Sequence, residues 1–154
     1  MGPALSKLQD LMPAIFKHEG TWLGHYRHLS ETGELLDEHE SRVECKLPDE
    51  PDVVFRQTNH FVWHDGRTLD YSFEGTLHNN QLWFDTPTFV GGAWQTEAGI
   101  IMLNLDRKDL PGQRFIEVIV MGDNHNHRVR TWYYFEHGIC CKRTLCTEQR
   151  AHSI

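Results

Sequence analysis

No stretch of this 154-residue sequence is apolar for long enough to cross a bilayer as a helix. The opening residues, Met1-Gly2-Pro3-Ala4-Leu5-Ser6-Lys7, lack the uninterrupted apolar core of a signal peptide, because Pro3 and Pro13 break it and Gln9 and Asp10 are polar. A cytoplasmic protein with no membrane partner is the expectation. Positive charge is in deficit: the formal net charge of -7 removes the attraction that nucleic-acid binders depend on. Cysteine is sparse and unpatterned. Cys45, Cys140, Cys141 and Cys146 form no C-x-x-C pair, so a zinc knuckle is not expected and reduced thiols are the default. There is no nucleophilic triad, phosphate loop or dinucleotide fingerprint; Gly91-Gly92 lacks both the following pattern and a helix. No cofactor is expected.

Histidine, by contrast, is abundant, with 11 in the chain. None falls in an H-E-x-x-H arrangement. His125 and His127 share one face of a strand-like run, but they sit in Gly122-Asp123-Asn124-His125-Asn126-His127, which reads as a hairpin turn. They are taken as solvated turn residues, and no metal is expected.

The rest of the pattern is strand after strand. Leu5, Leu8, Leu11, Met12, Ile15 and Phe16 recur at helical spacing, with Ser6 as a candidate cap and Pro13 suited to the first turn of a second short helix. Residues 1–19 are therefore expected to form one broken helix or two short ones against the end of a barrel. From residue 20 the period changes to two. Strands are predicted at about 20–29, 35–47, 53–63, 68–77, 81–85, 89–94, 100–105, 115–121, 129–135 and 139–149. Asp65-Gly66, Asn79-Asn80, Leu110-Pro111-Gly112 and Glu136-His137-Gly138 mark tight turns. Gly91-Gly92 predicts a sharp bend or bulge. With no long helix between strands, a parallel α/β architecture is excluded. The economical solution is an all-β, about ten-stranded antiparallel up-and-down barrel over 20–150, in a single domain spanning 1–154. A half-barrel or sandwich is the alternative.

Gly20-Thr21-Trp22 resembles the Gly-x-Trp opening of lipocalin and calycin barrels. Trp22-Leu23-Gly24-His25-Tyr26 with Gly33, Gln57-Thr58-Asn59-His60 with Trp63, Asp65-Gly66-Arg67, Arg128-x-Arg130, Gly138 and Lys142-Arg143 widen the likeness to an uncharacterised group of bacterial lipocalin-like (calycin-type) barrel proteins. That resemblance implies a ten-stranded barrel with a cavity and no settled activity. It also implies that Arg143 packs its guanidinium over Trp22, as an arginine does at the floor of lipocalins.

Strand parity selects the cavity residues. Trp22 sets Tyr26 and His28 inward, and polar-out alternation on the second strand sets His39 and Ser41 inward. Phe55 and Phe61 carry Gln57 and Asn59 with them, and Tyr71 shares a face with Leu69 and Phe73. Strand eight is ambiguous: Phe115, Glu117, Ile119 and Met121 share one face, and Ile116, Val118 and Val120 the other. Glu117 is either a carboxylate in an apolar lumen, suited to acid–base work, or a solvated surface charge. Arg130 shares a face with Trp132 and Tyr134, where it is a partner for Glu117, a clamp for a ligand carboxylate, or a surface charge.

Two functions fit this set. One is a cofactor-independent isomerase, cyclase or lyase acting on a small apolar or aromatic metabolite. In it Glu117, His39, Tyr26 and Tyr71 are the acid–base candidates, and Gln57, Asn59, Phe55, Phe73, Arg130 and Trp132 contact the substrate. The other is a non-catalytic carrier or sensor of a small hydrophobic ligand using the same pocket. Either would be a monomer or homodimer.

Overall fold

The computed structural model describes residues 1–152. Ten antiparallel strands form a closed up-and-down barrel: β1 Gly20–Ser30, β2 Leu35–Lys46, β3 Phe55–Val62, β4 Thr68–His78, β5 Gln81–Asp85, β6 Phe89–Gln95, β7 Ile101–Arg107, β8 Gln113–Met121, β9 His127–Glu136 and β10 Ile139–Arg150. Each strand pairs with its neighbours in sequence, and β1 pairs with β10 from Trp22↔Arg150 to Ser30↔Lys142 to close the wall. Closure gives every strand a partner on both sides over at least part of its length, which is why so many short strands settle into this form.

A helix, α1 (Pro3–Leu11), and a 3₁₀ helix, Pro13–His18, cover one end. Pro3 lies in the first turn of α1 and Gly2 is its cap residue, with no side-chain cap bond; Ser6, expected to cap, sits inside the helix. A proline's missing N–H is no loss in a first turn, and Pro13 takes the same place in the 3₁₀ helix. Leu5, Leu8, Met12 and Ile15 from these segments join Trp22, Val43, Val54, Leu82, Phe84 and Ile101 in the floor half of the core. The Trp22 indole N–H donates to the His18 carbonyl at 3.0 Å, tying the lid to the floor.

Glycines serve here as spacing devices. A Cβ on Gly91 would lie 2.1 Å from the Asn104 carbonyl oxygen. No bulge interrupts Gly91-Gly92, because β6 pairs without a register shift to both β5 and β7. Gly91 is there for close backbone approach, and Gly92 leaves room for the Gln81 side chain. A Cβ on Gly24 would lie 2.7 Å from Cγ of Glu148 and 2.8 Å from Oγ of Ser41. Gly24 thus leaves the lumen room that the Glu148 side chain occupies.

The wall is uneven in height. β4 has 11 residues and β5 has 5. They pair only from Gly75↔Phe84 to His78↔Gln81. The next pair would set Glu74 against Asp85, and like charges directly opposed disfavour pairing. Pro87, with no N–H to give, follows in the β5–β6 turn. Residues Thr68–Glu74 therefore pair with β3 alone.

Candidate functional site

Inward-facing positions on the last three strands carry four charges. Glu117, Arg128, Arg130 and Glu148 are each 5% exposed or less. Register puts them in reach of one another: Glu117 lies opposite Trp132, Ile119 opposite Arg130, and Glu148 opposite Arg128. Arg130 donates from Nε to Glu117 Oε2 at 2.8 Å, and from Nη1 to the Tyr26 hydroxyl at 2.8 Å and Glu148 Oε2 at 3.4 Å. Arg128 donates from Nε to Glu148 Oε1 at 2.6 Å and from Nη1 to His18 Nδ1 at 3.1 Å. The result is an alternating row, Glu117–Arg130–Glu148–Arg128, running from mid-lumen to floor. Pairing makes such burial tolerable, since an isolated charge there would be expelled or neutralised. Arg130 Nη2 and Glu117 Oε1 make no hydrogen bond to the described residues.

Each guanidinium also lies over a ring. Arg130 sits 4.5 Å from the Trp132 centroid, and Arg128 and Arg150 sit 4.5 and 4.3 Å from Trp22. Cation–π attraction is strengthened by desolvation. The cation expected over Trp22 was Arg143. Its register partners are Leu29 and Tyr133, one residue out of phase with buried Thr144, which puts it on the outer face. Arg128 and Arg150 take that role because their parity is that of Trp22 and Glu148.

Burial raises the Glu148 carboxyl, but the Arg130 and Arg128 guanidiniums more than offset it and hold the group below its ordinary value. Burial pushes the Tyr26 hydroxyl well up, with Arg130 opposing. Burial likewise raises the Cys146 thiol, and it takes Tyr134 up to about 12. These phenols and this thiol stay protonated. His18 is pushed down to about 3, by burial first and then by Arg128. It therefore accepts from Arg128 as a neutral ring.

Above the charges the lumen is lined by rings. Tyr26 stacks on His39 at 4.8 Å, Tyr26 meets Phe61 at 5.0 Å and Phe61 meets Tyr71 at 5.6 Å. Tyr71 continues to Phe73 at 6.4 Å, and Phe73 to Phe89 at 5.5 Å. Phe115 and Tyr134 carry the collar to β9, where Trp132 returns to Tyr26 at 5.4 Å. Gln57 and Asn59 are buried below it, bonded to each other at 2.9 Å. Phe55 packs lower, edge-on to Phe84 at 5.9 Å. The Ser41 hydroxyl is buried with no hydrogen-bond partner among the described residues.

At the rim, His28 Nε2 meets His39 Nε2 at 2.9 Å, His28 Nδ1 meets the Thr144 hydroxyl at 2.7 Å, and His39 Nδ1 meets the Glu40 carbonyl at 3.3 Å. One proton arrangement satisfies all three: Thr144 donates to His28, His28 to His39, and His39 to the carbonyl. Burial, and then the neighbouring His39, takes His28 down to about 4; burial lowers His39 too.

The sequence-selected residues thus fall into groups. Tyr26, Glu117, Arg130 and Trp132 meet directly; His39, Tyr71 and Phe73 stand in the collar; Gln57, Asn59 and Phe55 lie beneath. Glu148, Arg128 and His18 were missed. Thr144-x-Cys146-x-Glu148 reads as a polar outer face, and only the Gly24 opposite Glu148 hints at a side chain needing lumen space. His125 lies in an exposed turn. Among the described residues, no group of three or more His, Cys, Asp or Glu side chains is placed to hold a metal, and no helix is long and apolar enough to cross a membrane.

These pKa shifts predict acid lability. Above pH 6.5 His18 is neutral folded or unfolded. Below it the unfolded chain takes up a proton that the folded one refuses until about pH 3. Stability should fall across that window by about 3–5 kcal/mol from His18 alone. His28, falling from 6.5 to about 4, adds to it; Glu148 contributes below its ordinary 4.5. Exposed His25, raised by Glu40, titrates the other way and weakly. Urea midpoints measured from pH 7 to 4 should drop steadily, and His18→Gln should flatten the slope. An unchanged slope in that variant would assign the loss elsewhere.

No protein-family model matches the chain, and no curated protein matches it. Solved structures do. The S-type phycobiliprotein lyase of Guillardia theta is 15% identical over the whole of both chains, with a TM-score of 0.75. A protein of unknown function from the DUF3598 family of Nostoc punctiforme is 18% identical over 89% of this chain, with a TM-score of 0.64; this chain spans about half (49%) of its length. Rv2717c from M. tuberculosis is 13% identical over 99% of each chain, with a TM-score of 0.51. At these identities the likeness is one of fold: a ten-stranded, lipocalin-like barrel.

Proposed function

We infer that the upper lumen binds a small, flat, apolar or aromatic molecule, whose polar group meets the Glu117–Arg130 pair under the aromatic collar. The observation that carries this is Arg130, 4% exposed and held by two carboxylates and a phenol, yet keeping one nitrogen without a partner among the described residues beside an equally open Glu117 oxygen. Adjacent open donor and acceptor groups beneath a collar of aromatic rings are what orient a small ligand. That a barrel of the same fold is a phycobiliprotein lyase supports a ligand-handling role.

Binding, as by a carrier or sensor, fits better than acid–base turnover. Glu117 is tied to Arg130, Tyr26 and Tyr71 hold their protons, and every ring nitrogen of His28 and His39 is engaged. The second reading is a cofactor-independent isomerase, cyclase or lyase. It is favoured by one feature: His39, stacked on Tyr26 and bonded to His28, would become a base once His28 swings away.

A thermal-shift and tryptophan-quenching screen of small aromatic and conjugated metabolites tests the binding reading. Hits should raise the melting temperature and quench Trp132. Glu117→Gln should weaken a hit at least tenfold while costing the fold about 1–2 kcal/mol, because Arg130 keeps Glu148 and a neutral acceptor. A panel with no hit would sink the reading. A hit converted to product, with turnover lost in His39→Gln, would favour the enzyme.

A further inference from the structure

Besides its mouth, the barrel has a gap in its strand pairing on one side, a slot in the ladder where β4 outruns β5. β4 rises past the end of β5, so Thr68–Glu74 has β3 on one flank and no strand on the other. Exposure changes abruptly across that line. Asn59 and Phe61 on β3 are 1% and 7% exposed; Tyr71 and Leu69, directly opposite them on β4 and on the same inward face, are 42% and 49% exposed. Inward side chains become wet here because the wall beyond β4 is missing. The slot's sill is Phe73, edge-on to Phe84 at 5.6 Å and Phe89 at 5.5 Å. Its inner side is Tyr71, edge-on to Phe61 at 5.6 Å, and Phe61 meets Tyr26 at 5.0 Å, whose hydroxyl Arg130 holds at 2.8 Å.

We propose that this slot, and not the mouth, is the entrance to the lumen, admitting a flat apolar molecule edge-first between β4 and the β5–β6 hairpin. This rests on the ligand reading above. The mouth is the poorer route for such a molecule. Its rim is polar and bonded across strands: Thr144, His28 and His39 link β10 to β1 and β2, and Asp37 takes the Trp63 indole N–H at 3.0 Å, linking β2 to β3. The slot offers Leu69, Tyr71 and Phe73, an apolar ramp leading straight to the collar, so an apolar surface stays covered from entry to seat. The free flank of β4, roughly 20 Å long at 3.3 Å per residue, is enough for an extended aromatic plane.

The test is stopped-flow mixing with Nile red, a neutral planar probe, read by quenching of tryptophan emission. Leu69→Trp should slow association and dissociation together at least fivefold, and Leu69→Ala should speed both, each leaving the dissociation constant within about twofold. Leu69 is half exposed, so both variants should melt like wild type. Lys142→Ala, at the rim on β10, should leave the rates unchanged. Rates that follow Lys142→Ala and ignore Leu69 would overturn the entrance while leaving the ligand reading intact. Quenching that persists undiminished in Trp132→Phe would place the probe outside the lumen, overturning the ligand reading and the entrance with it.

Discussion

Arg130→Met is expected to lose about 3–5 kcal/mol of folding stability at neutral pH, a drop of roughly 10 °C or more in melting temperature. The methionine fills comparable space, so little of this is packing. The loss arises because Glu117 gives up its partner and Glu148 keeps only Arg128. Uncompensated buried carboxylates are far worse than absent ones. Adding Glu117→Leu to Arg130→Met should therefore recover most of the loss, although the double variant is more altered. Urea unfolding at pH 7 distinguishes the cases. A single variant within about 1 kcal/mol of wild type would mean that lumen water already solvates Glu117, and that the pair is a surface ion pair in all but position.

Trp22→Ala should be comparably severe, at about 3–5 kcal/mol. Trp22 is 0% exposed and its loss leaves a large hole between lid and barrel. The effect goes beyond volume. The His18 carbonyl loses its donor, and Arg128 and Arg150 lose the ring they both face. Trp22→Phe, which keeps a ring face but no N–H, should fall between. A Trp22→Ala protein melting within a degree or two of wild type would show that the indole does not hold the floor.

Much of this architecture was legible because a barrel strand has one wet and one dry face. Alternation such as His39, Ser41, Val43 and Cys45 against Glu38, Glu40, Arg42 and Glu44 leaves one choice of parity, and Asp65-Gly66 or Asn79-Asn80 says where the strand reverses. β8 resisted that logic. Ile116, Val118 and Val120 are as apolar as the inward set, and Val120 is 39% exposed in the structure. Only pairing with β9, which sets Glu117 opposite Trp132, decides which face turns in. The charged row was harder still. Arg128 and Glu148 each look solvated when read alone; they are buried because each is the other's counter-ion across a ladder 20 residues apart in sequence. Pairing energy of that kind has no signature in local periodicity. The slot was hidden for a related reason: it depends on a difference in length between β4 and β5, and strand ends are what a short run of residues specifies least.

The seam between β1 and β10 has a consequence for how the chain is made. Trp22 lies opposite Arg150, so the first strand of the barrel to be synthesised pairs with its last. Until β10 emerges, β1 and β9 both present unpaired flanks, and Glu117, Arg128 and Arg130 have no Glu148 to balance them. The barrel half that closes last is thus also the half that carries the charges. Vectorial synthesis should yield a long-lived open sheet whose free flanks invite pairing with other nascent chains. Emergence of β10, rather than the assembly of any one hairpin, then becomes the event that commits the barrel to its native form.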